Sequence, residues 1–330
     1  MGVRPRDANK KMLTRGPNNP DAVTSHGARM REITRLPHNA RVLLLAVFVL
    51  AITALQSTAD PSLFNYDASR PLDVRETGRR EEDGVLLRDI TYATLTGGTN
   101  AATLIAPKAR AAQSVPAILF VHWYGPPAPT SNRTQFIPDG IALARQGVTS
   151  LLIDTPWSVP NWFRTRNREE DYTRSVQQVR DLRRALDVLM AQPGIDKTRV
   201  VYVGHDFGAM YGTLAASVDA RVTHFVFMAG TASFTDWFLY GPKLEGEARE
   251  RFVAEFAPLD PVRWVSKLRG PVLMQFADTD EHVSTARREQ LAAAAPKGAE
   301  VRVYKAGHEL SEESTRERLD WLRRTLRLGR

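Results

Sequence analysis

Residues 201–213 pass from an apolar strand pattern, Val201-Tyr202-Val203, through Gly204-His205-Asp206-Phe207-Gly208 into a helical segment with small residues on one face. A strand that becomes a helix within five residues needs a sharp turn, and glycine on both sides of Asp206 lets helix and sheet approach closely. The residue at the tip of such a turn projects into the crevice at the carboxyl ends of the strands, where open α/β sheets bind ligands. This requirement restricts the fold to a layered α/β architecture, and the flanking pattern agrees. Short β-rich runs at 85–95, 101–106, 116–121, 148–153, 199–204, 222–229, 271–277 and 299–304 alternate with helical patterns at 134–146, 170–192, 206–217, 245–257, 283–296 and 311–327. The alternation predicts a mostly parallel eight-stranded sheet with helices on both faces. In the segment 170–192, Tyr172, Val176, Val179, Leu182, Leu186 and Leu189 form one core-facing stripe. Its charges, including Arg183 and Arg184, are expected on a solvated face.

The 330 residues suffice for one large α/β domain with extensions, and 43% apolar with 25% charged content is that of a globular chain. The absence of cysteine excludes disulfides, thiolate catalysis and cysteine-ligated metal. The net charge of +8 does not mark a nucleic-acid surface. Residues 1–59 hold nine of the 45 basic residues and only three of the 37 acidic ones, and the body carries no arginine–aromatic stripe.

Within this basic leader, residues 42–55 are continuously apolar, too short for the roughly 20 residues of a membrane span and suited to the apolar core of a signal peptide. Small residues at Ser57 and Ala59 predict cleavage after Ala59 and an exported protein, with Met30 as the start of a short basic n-region. If the segment is retained, it is the sole expected membrane attachment. Residues 60–84 read as a polar connector, 85–330 as the folded body, and 231–269 as room for a short lid.

Asp206 occupies the central position of a G-x-D-x-G turn, where the related G-x-S-x-G pattern carries a serine nucleophile. An aspartate here also suits a helix N-cap. The downstream partners favour chemistry. The run Pro271–Ala277 leads into Asp278-Thr279-Asp280-Glu281-His282-Val283, which offers two orienting acids, with Asp280 preferred and Asp278 the alternative. His308 follows the last strand pattern; of the seven histidines, it alone sits on a post-strand loop downstream of both acids. The order nucleophile, acid, histidine differs from the two protease orders. An oxyanion site needs backbone N–H groups; Phe207 supplies one, and Tyr124, with Trp123 as the alternative, supplies the other from the loop His122-Trp123-Tyr124-Gly125. His122, Trp123, His205, Trp157 and Trp237 are expected to line the pocket. No metal ligand spacing such as H-x-x-x-H is present.

Over roughly 85–327 these residues resemble the α/β-hydrolase superfamily, and most of all its dienelactone-hydrolase-like and acyl-esterase branch. The branch resemblance rests on Asp181-Leu182-Arg183-Arg184-Ala185-Leu186-Asp187, Pro193-Gly194-Ile195-Asp196, Arg199–His205 and Pro258-Leu259-Asp260-Pro261. It implies a Ser-Asp-His triad, a two-amide oxyanion hole, a small organic ester or lactone as substrate, and no cofactor. The sequence departs from it at Asp206 in place of serine and at Trp123 in place of the usual glycine. Aspartate at this turn is similar instead to epoxide hydrolases and haloalkane dehalogenases, although Phe207 replaces their tryptophan and only about 40 residues stand where they carry a cap domain.

Two chemistries follow, and a third reading stands beside them. An Asp-His-Asp triad on this body implies ester or lactone hydrolysis. A carboxylate nucleophile suits an alkyl carbon bearing a halide or epoxide oxygen, through an aspartyl ester that His308 and water hydrolyse. Loss of the serine also fits a catalytically inactive protein that keeps the pocket for ligand binding.

Overall fold

The computed structural model describes residues 59–109, 114–241 and 243–329. The apolar segment 42–55 and the start at Met30 lie outside the described residues. Among the described residues no helix is long and apolar enough to cross a membrane.

Among the described residues nine strands form one sheet: β1 Arg75–Glu82, β2 Val85–Ala93, β3 Thr99–Pro107, β4 Val115–Val121, β5 Thr149–Ile153, β6 Ile195–His205, β7 His224–Met228, β8 Val272–Ala277 and β9 Glu300–Tyr304. Their order is β1-β2-β3-β5-β4-β6-β7-β8-β9. β1, β2, β3 and β5 pair antiparallel in succession. From β5 through β9 every pairing is parallel. The helices are α1 Ile137–Ala144, α2 Trp162–Thr165, α3 Asp171–Met190, α4 Phe207–Val218, α5 Phe234–Phe238, α6 Gly246–Phe256, α7 Thr285–Ala294 and α8 Glu312–Thr325. Between β7 and β8 the chain forms α5, α6 and three short 3-10 turns.

The period-two geometry of a strand splits its side chains between two cores. On β4, Ala117, Leu119 and Val121 face the layer of α3 and α4, whereas Ile118 and Phe120 join the layer containing Ile141 of α1 and Trp321 of α8. Both faces are therefore covered, and this explains why β4 and β6 read as continuous apolar runs.

Two expectations need correction. Among the described residues the sheet has nine strands, because Arg75–Glu82, placed in the connector 60–84, pairs with β2. It is an edge strand exposed on both faces, so it shows no apolar alternation; Glu76 bridges Arg79 and Arg88 on its surface. The folded body consequently includes residues ahead of Val85: β1 joins the sheet and Phe64 is buried in the core. Arg183 and Arg184 are likewise not on a solvated face. Arg184 is 1% exposed and donates to the carbonyls of Arg70, Pro71 and Ala93. Arg183 binds Asp219 and the carbonyl of Phe64, and Arg180 binds the carbonyl of Leu63. These guanidiniums hold residues 63–71 against α3, because irregular backbone has carbonyls that need donors.

Candidate active site

The loops after β4, β6, β8 and β9 meet at the carboxyl edge of the parallel strands. The turn from β6 into α4 places Asp206 at φ 57°, ψ −119°, a left-handed conformation for a residue with a side chain. The glycines around it are required by contact. A Cβ on Gly204 would lie 2.3 Å from the Gly208 carbonyl oxygen, and one on Gly208 would lie 2.3 Å from that of Val121. The close approach brings Asp206, fully buried, against the loop that leaves β4.

The two oxygens of Asp206 have different surroundings. Oδ2 accepts the Tyr124 N–H at 2.8 Å, and the Phe207 N–H also supports the charged carboxylate. Of the two amides expected to form an oxyanion hole, the Tyr124 N–H thus points at Asp206 itself. The Trp123 N–H is committed elsewhere, to Gln135 Oε1 at 2.9 Å. Oδ1 is buried without a hydrogen-bond partner. Burial pushes the Asp206 carboxyl up to about 7, against the pull of His308 and the two amides.

His308 is 3% exposed, with Nδ1 at 3.0 and 3.1 Å from the Asp280 oxygens. Asp280 Oδ1 also accepts the N–H groups of His282 and Val283 at 2.8 and 2.9 Å, so the acid is fixed by its own loop. Burial raises the Asp280 carboxyl, but the His308 ring and these amides outweigh it and hold it below its usual value. Burial lowers the His308 imidazole, yet the Asp280 hydrogen bond and the charges of Asp206 and Asp280 bring it above its ordinary value. Asp278, the alternative acid, is exposed and accepts the Ala306 N–H at 3.2 Å instead. His308 Nε2 has no partner.

Around His308 stand Trp237 at 5.2 Å, His282 at 5.0 Å, His205 at 5.6 Å and Trp123 at 6.3 Å between ring centroids. Trp237 comes from α5, which Asp236 ties down through Thr231 Oγ1 at 2.6 Å and Arg287 at 3.0 Å. The indole Nε1 atoms of Trp123 and Trp237 and Nδ1 of His282 are buried and unpartnered, like Asp206 Oδ1 and His308 Nε2. An indole N–H only donates, so these two tryptophans, whose rings pack near His308, leave their donors unsatisfied. Unsatisfied buried polar atoms are uncommon, and five of them gather at this one place.

Two of the expected pocket residues serve the loops instead. The His122 Nδ1–H donates to the Trp123 carbonyl at 2.7 Å, and its Nε2 accepts the Thr155 hydroxyl at 2.8 Å. Burial lowers this imidazole to about 4, so it stays neutral. Trp157 lies behind the β4 loop and donates Nε1–H to the His122 carbonyl at 3.2 Å. Gln135, which receives the Trp123 N–H and meets His205, was not singled out from the sequence. It lies in a 3-10 turn at Arg133–Phe136, and no pattern there marks a polar residue facing inward. Among the described residues no group of three or more His, Asp or Glu could hold a metal ion.

The model of the alpha/beta hydrolase family matches residues 118–320. No curated protein matches the chain. Among solved structures, an acetyl xylan esterase from Paenibacillus sp. R4 is similar with a TM-score of 0.65 at 18% identity, covering 80% of this chain and 91% of its own. Acetyl xylan esterase 1 from Thermoanaerobacterium sp. JW/SL YS485 gives 0.61 at 16%, covering 79% and 90%. A cold-adapted esterase from an Arctic intertidal metagenomic library gives 0.54 at 18%, covering 76% and 97%.

Proposed function

Because the chain belongs to the alpha/beta hydrolase family, we propose that it hydrolyses a small apolar substrate at an alkyl carbon bearing a halide or epoxide oxygen, with Asp206 as nucleophile. The observation that carries this reading is the division of labour within the Asp206 carboxylate: Oδ2 rests on the Tyr124 N–H while Oδ1 is free. In acyl transfer the substrate's carbonyl oxygen must enter the oxyanion amides, and here the aspartate already takes the Tyr124 N–H. In alkyl transfer the same arrangement is productive. The Oδ1 lone pair forms the new carbon–oxygen bond, and the leaving atom departs with the bonding electrons, accepting hydrogen bonds from the Trp123 and Trp237 indoles. His308 Nε2 then takes a proton from water, and the hydroxide adds to the Asp206 carboxyl carbon. The negative charge develops on Oδ2, opposite the Tyr124 N–H group. Collapse expels the alcohol, which recovers the proton from His308, and the Asp206 carboxylic acid gives up its remaining proton, to solvent after halide loss or to the alkoxide oxygen of an opened epoxide, so that the carboxylate is restored. Aromatic walls from Phe207, Trp237 and Phe238 favour an apolar substrate.

A single turnover in oxygen-18 water tests this reading on haloalkanes and epoxides. Label is expected in the peptide containing Asp206, and label found only in the product would overturn it. His308→Gln is expected to accumulate the alkylated protein, visible by intact mass. Ester or lactone hydrolysis is the second reading, favoured by solved relatives named as esterases and by a carboxyl pushed up to about 7. That proton affinity suits a general base for direct attack by water. Turnover of esters with label in the product alone supports it. No turnover of either class supports a ligand-binding protein without activity.

A further inference from the structure

Three of the site's segments are joined by a hydrogen-bond chain that uses none of the Asp206, His308 or Asp280 side chains and ends on the His308 backbone carbonyl. The Trp123 N–H donates to Gln135 Oε1 at 2.9 Å, Gln135 Nε2 meets His205 Nδ1 at 2.7 Å, and His205 Nε2 meets the His308 carbonyl at 3.0 Å. The proton positions along it follow from chemistry. With Oε1 accepting from Trp123, the Gln135 amide must present N–H to His205, so Nδ1 accepts. A carbonyl only accepts, so Nε2 carries the proton. His205 is therefore locked as the neutral Nε2–H tautomer. The Trp123 ring covers its face at 5.2 Å and 10°. Burial, with help from the charges of His308 and Arg318 and against that of Asp280, keeps its protonation down near 3.

The position of this chain gives it a role. Trp123 precedes Tyr124, whose N–H holds Asp206 Oδ2; His205 precedes Asp206; and the accepting carbonyl belongs to the base. β9, which carries the His308 loop, is three places from β6 in the sheet, so strand pairing alone does not set the distance between their ends. We propose that Gln135 and His205 are positioning residues that set the oxyanion amide, the nucleophile turn and the base against one another. This role rests on the reading of Asp206 and His308 as the reacting pair.

The test compares Gln135→Met, which keeps the volume and removes the amide, with Gln135→Glu, whose second oxygen can accept but not donate to Nδ1. Imidazole nitrogen NMR of the full chain is expected to show His205 as the Nε2–H tautomer, without titration from about pH 5 to about pH 8. Gln135→Glu is expected to hold His205 as the imidazolium over that range, because both ring nitrogens then face acceptors. Both variants are expected to shift the His308 titration and lower kcat about 10- to 100-fold with KM within about threefold, as for a misplaced reacting group. A wild-type His205 that titrates near its ordinary value, or as the Nδ1–H tautomer, would overturn the relay. So would folded variants with unchanged kcat and unchanged His308 titration. Should Gln135→Met fail to fold, the wild-type tautomer and Gln135→Glu decide the matter. Wild-type turnover in Asp206→Asn would instead remove the reaction reading, and the NMR results would then judge the relay alone.

Discussion

At the scale of single residues, Asp206 carries opposing demands of stability and chemistry. Its proton affinity in the folded protein, about 7, exceeds the 3.8 of an ordinary aspartate. The folded state therefore holds a proton that the unfolded chain releases between those values. By linkage, its contribution to stability is fully present below pH 3.8, declines as pH rises through the window, and is lost above about 7. Asp206→Asn should accordingly raise the melting temperature at pH 8, by roughly 5 °C or more for a domain this size, and change it little at pH 4. Thermal unfolding at the two values checks this, and equal shifts at both would contradict it. Activity follows the opposite course. In the proposed reaction, attack needs ionised Asp206 and water activation needs neutral His308, so turnover is expected to fall on the acid side of about pH 7. The competing acids show how much of this was readable. Asp278 and Asp280 are two residues apart on one loop, and the sequence favoured Asp280 by its place before Val283. Only the fold brings it 3.0 Å from His308 and leaves Asp278 on the surface.

At the scale of elements, the turn between β6 and α4 was the most legible part of the chain, because glycine spacing reports a steric requirement directly. Gly208 packs on the end of β4, where a methyl group would meet the Val121 and His122 carbonyl oxygens at 2.3 and 2.9 Å. Gly208→Ala should push α4 away from the β4 loop that carries Tyr124. The expected cost is ~1–3 kcal/mol of stability from overpacking and about 100-fold in kcat from displacement of the amide relative to Asp206. Denaturant unfolding and steady-state kinetics measure the two separately, and wild-type kcat would refute the geometric argument. The eight strands read from the sequence all form, since each carries apolar residues on at least one face. β1 escaped because Arg-Glu-Thr-Gly-Arg-Arg-Glu-Glu has no apolar face to report. Its one available signal was the turn: Asp83 and Gly84 adopt φ 49° and 77°, the geometry that Asp-Gly favours in tight hairpins.

At the scale of the whole molecule, the arginines of α3 fasten the chain that precedes the sheet. Arg184→Met keeps the stem and strips the donors from the Arg70, Pro71 and Ala93 carbonyls. A hydrogen bond from a charged donor contributes about 1.5–3 kcal/mol, so a lowered urea midpoint and protease cleavage near residues 65–72 are expected. An unchanged midpoint with intact chain would show that water replaces the guanidinium.

The sequence by itself determined the layered α/β class, the turn that presents Asp206, and the order in which Asp206, Asp280 and His308 follow one another. Each of these is local, written in hydrophobic period, in glycine spacing, or in which residue follows which strand. Tertiary structure decided how the two oxygens of one carboxylate differ, which aspartate reaches His308, and that Gln135 and His205 connect three segments. It also turned Arg184 from an expected surface charge into a buried anchor and Arg183 into a half-buried one. Those outcomes depend on backbone groups meeting across the sheet, and a hydrogen bond between segments 70 or 103 residues apart leaves no periodic mark in the chain that forms it.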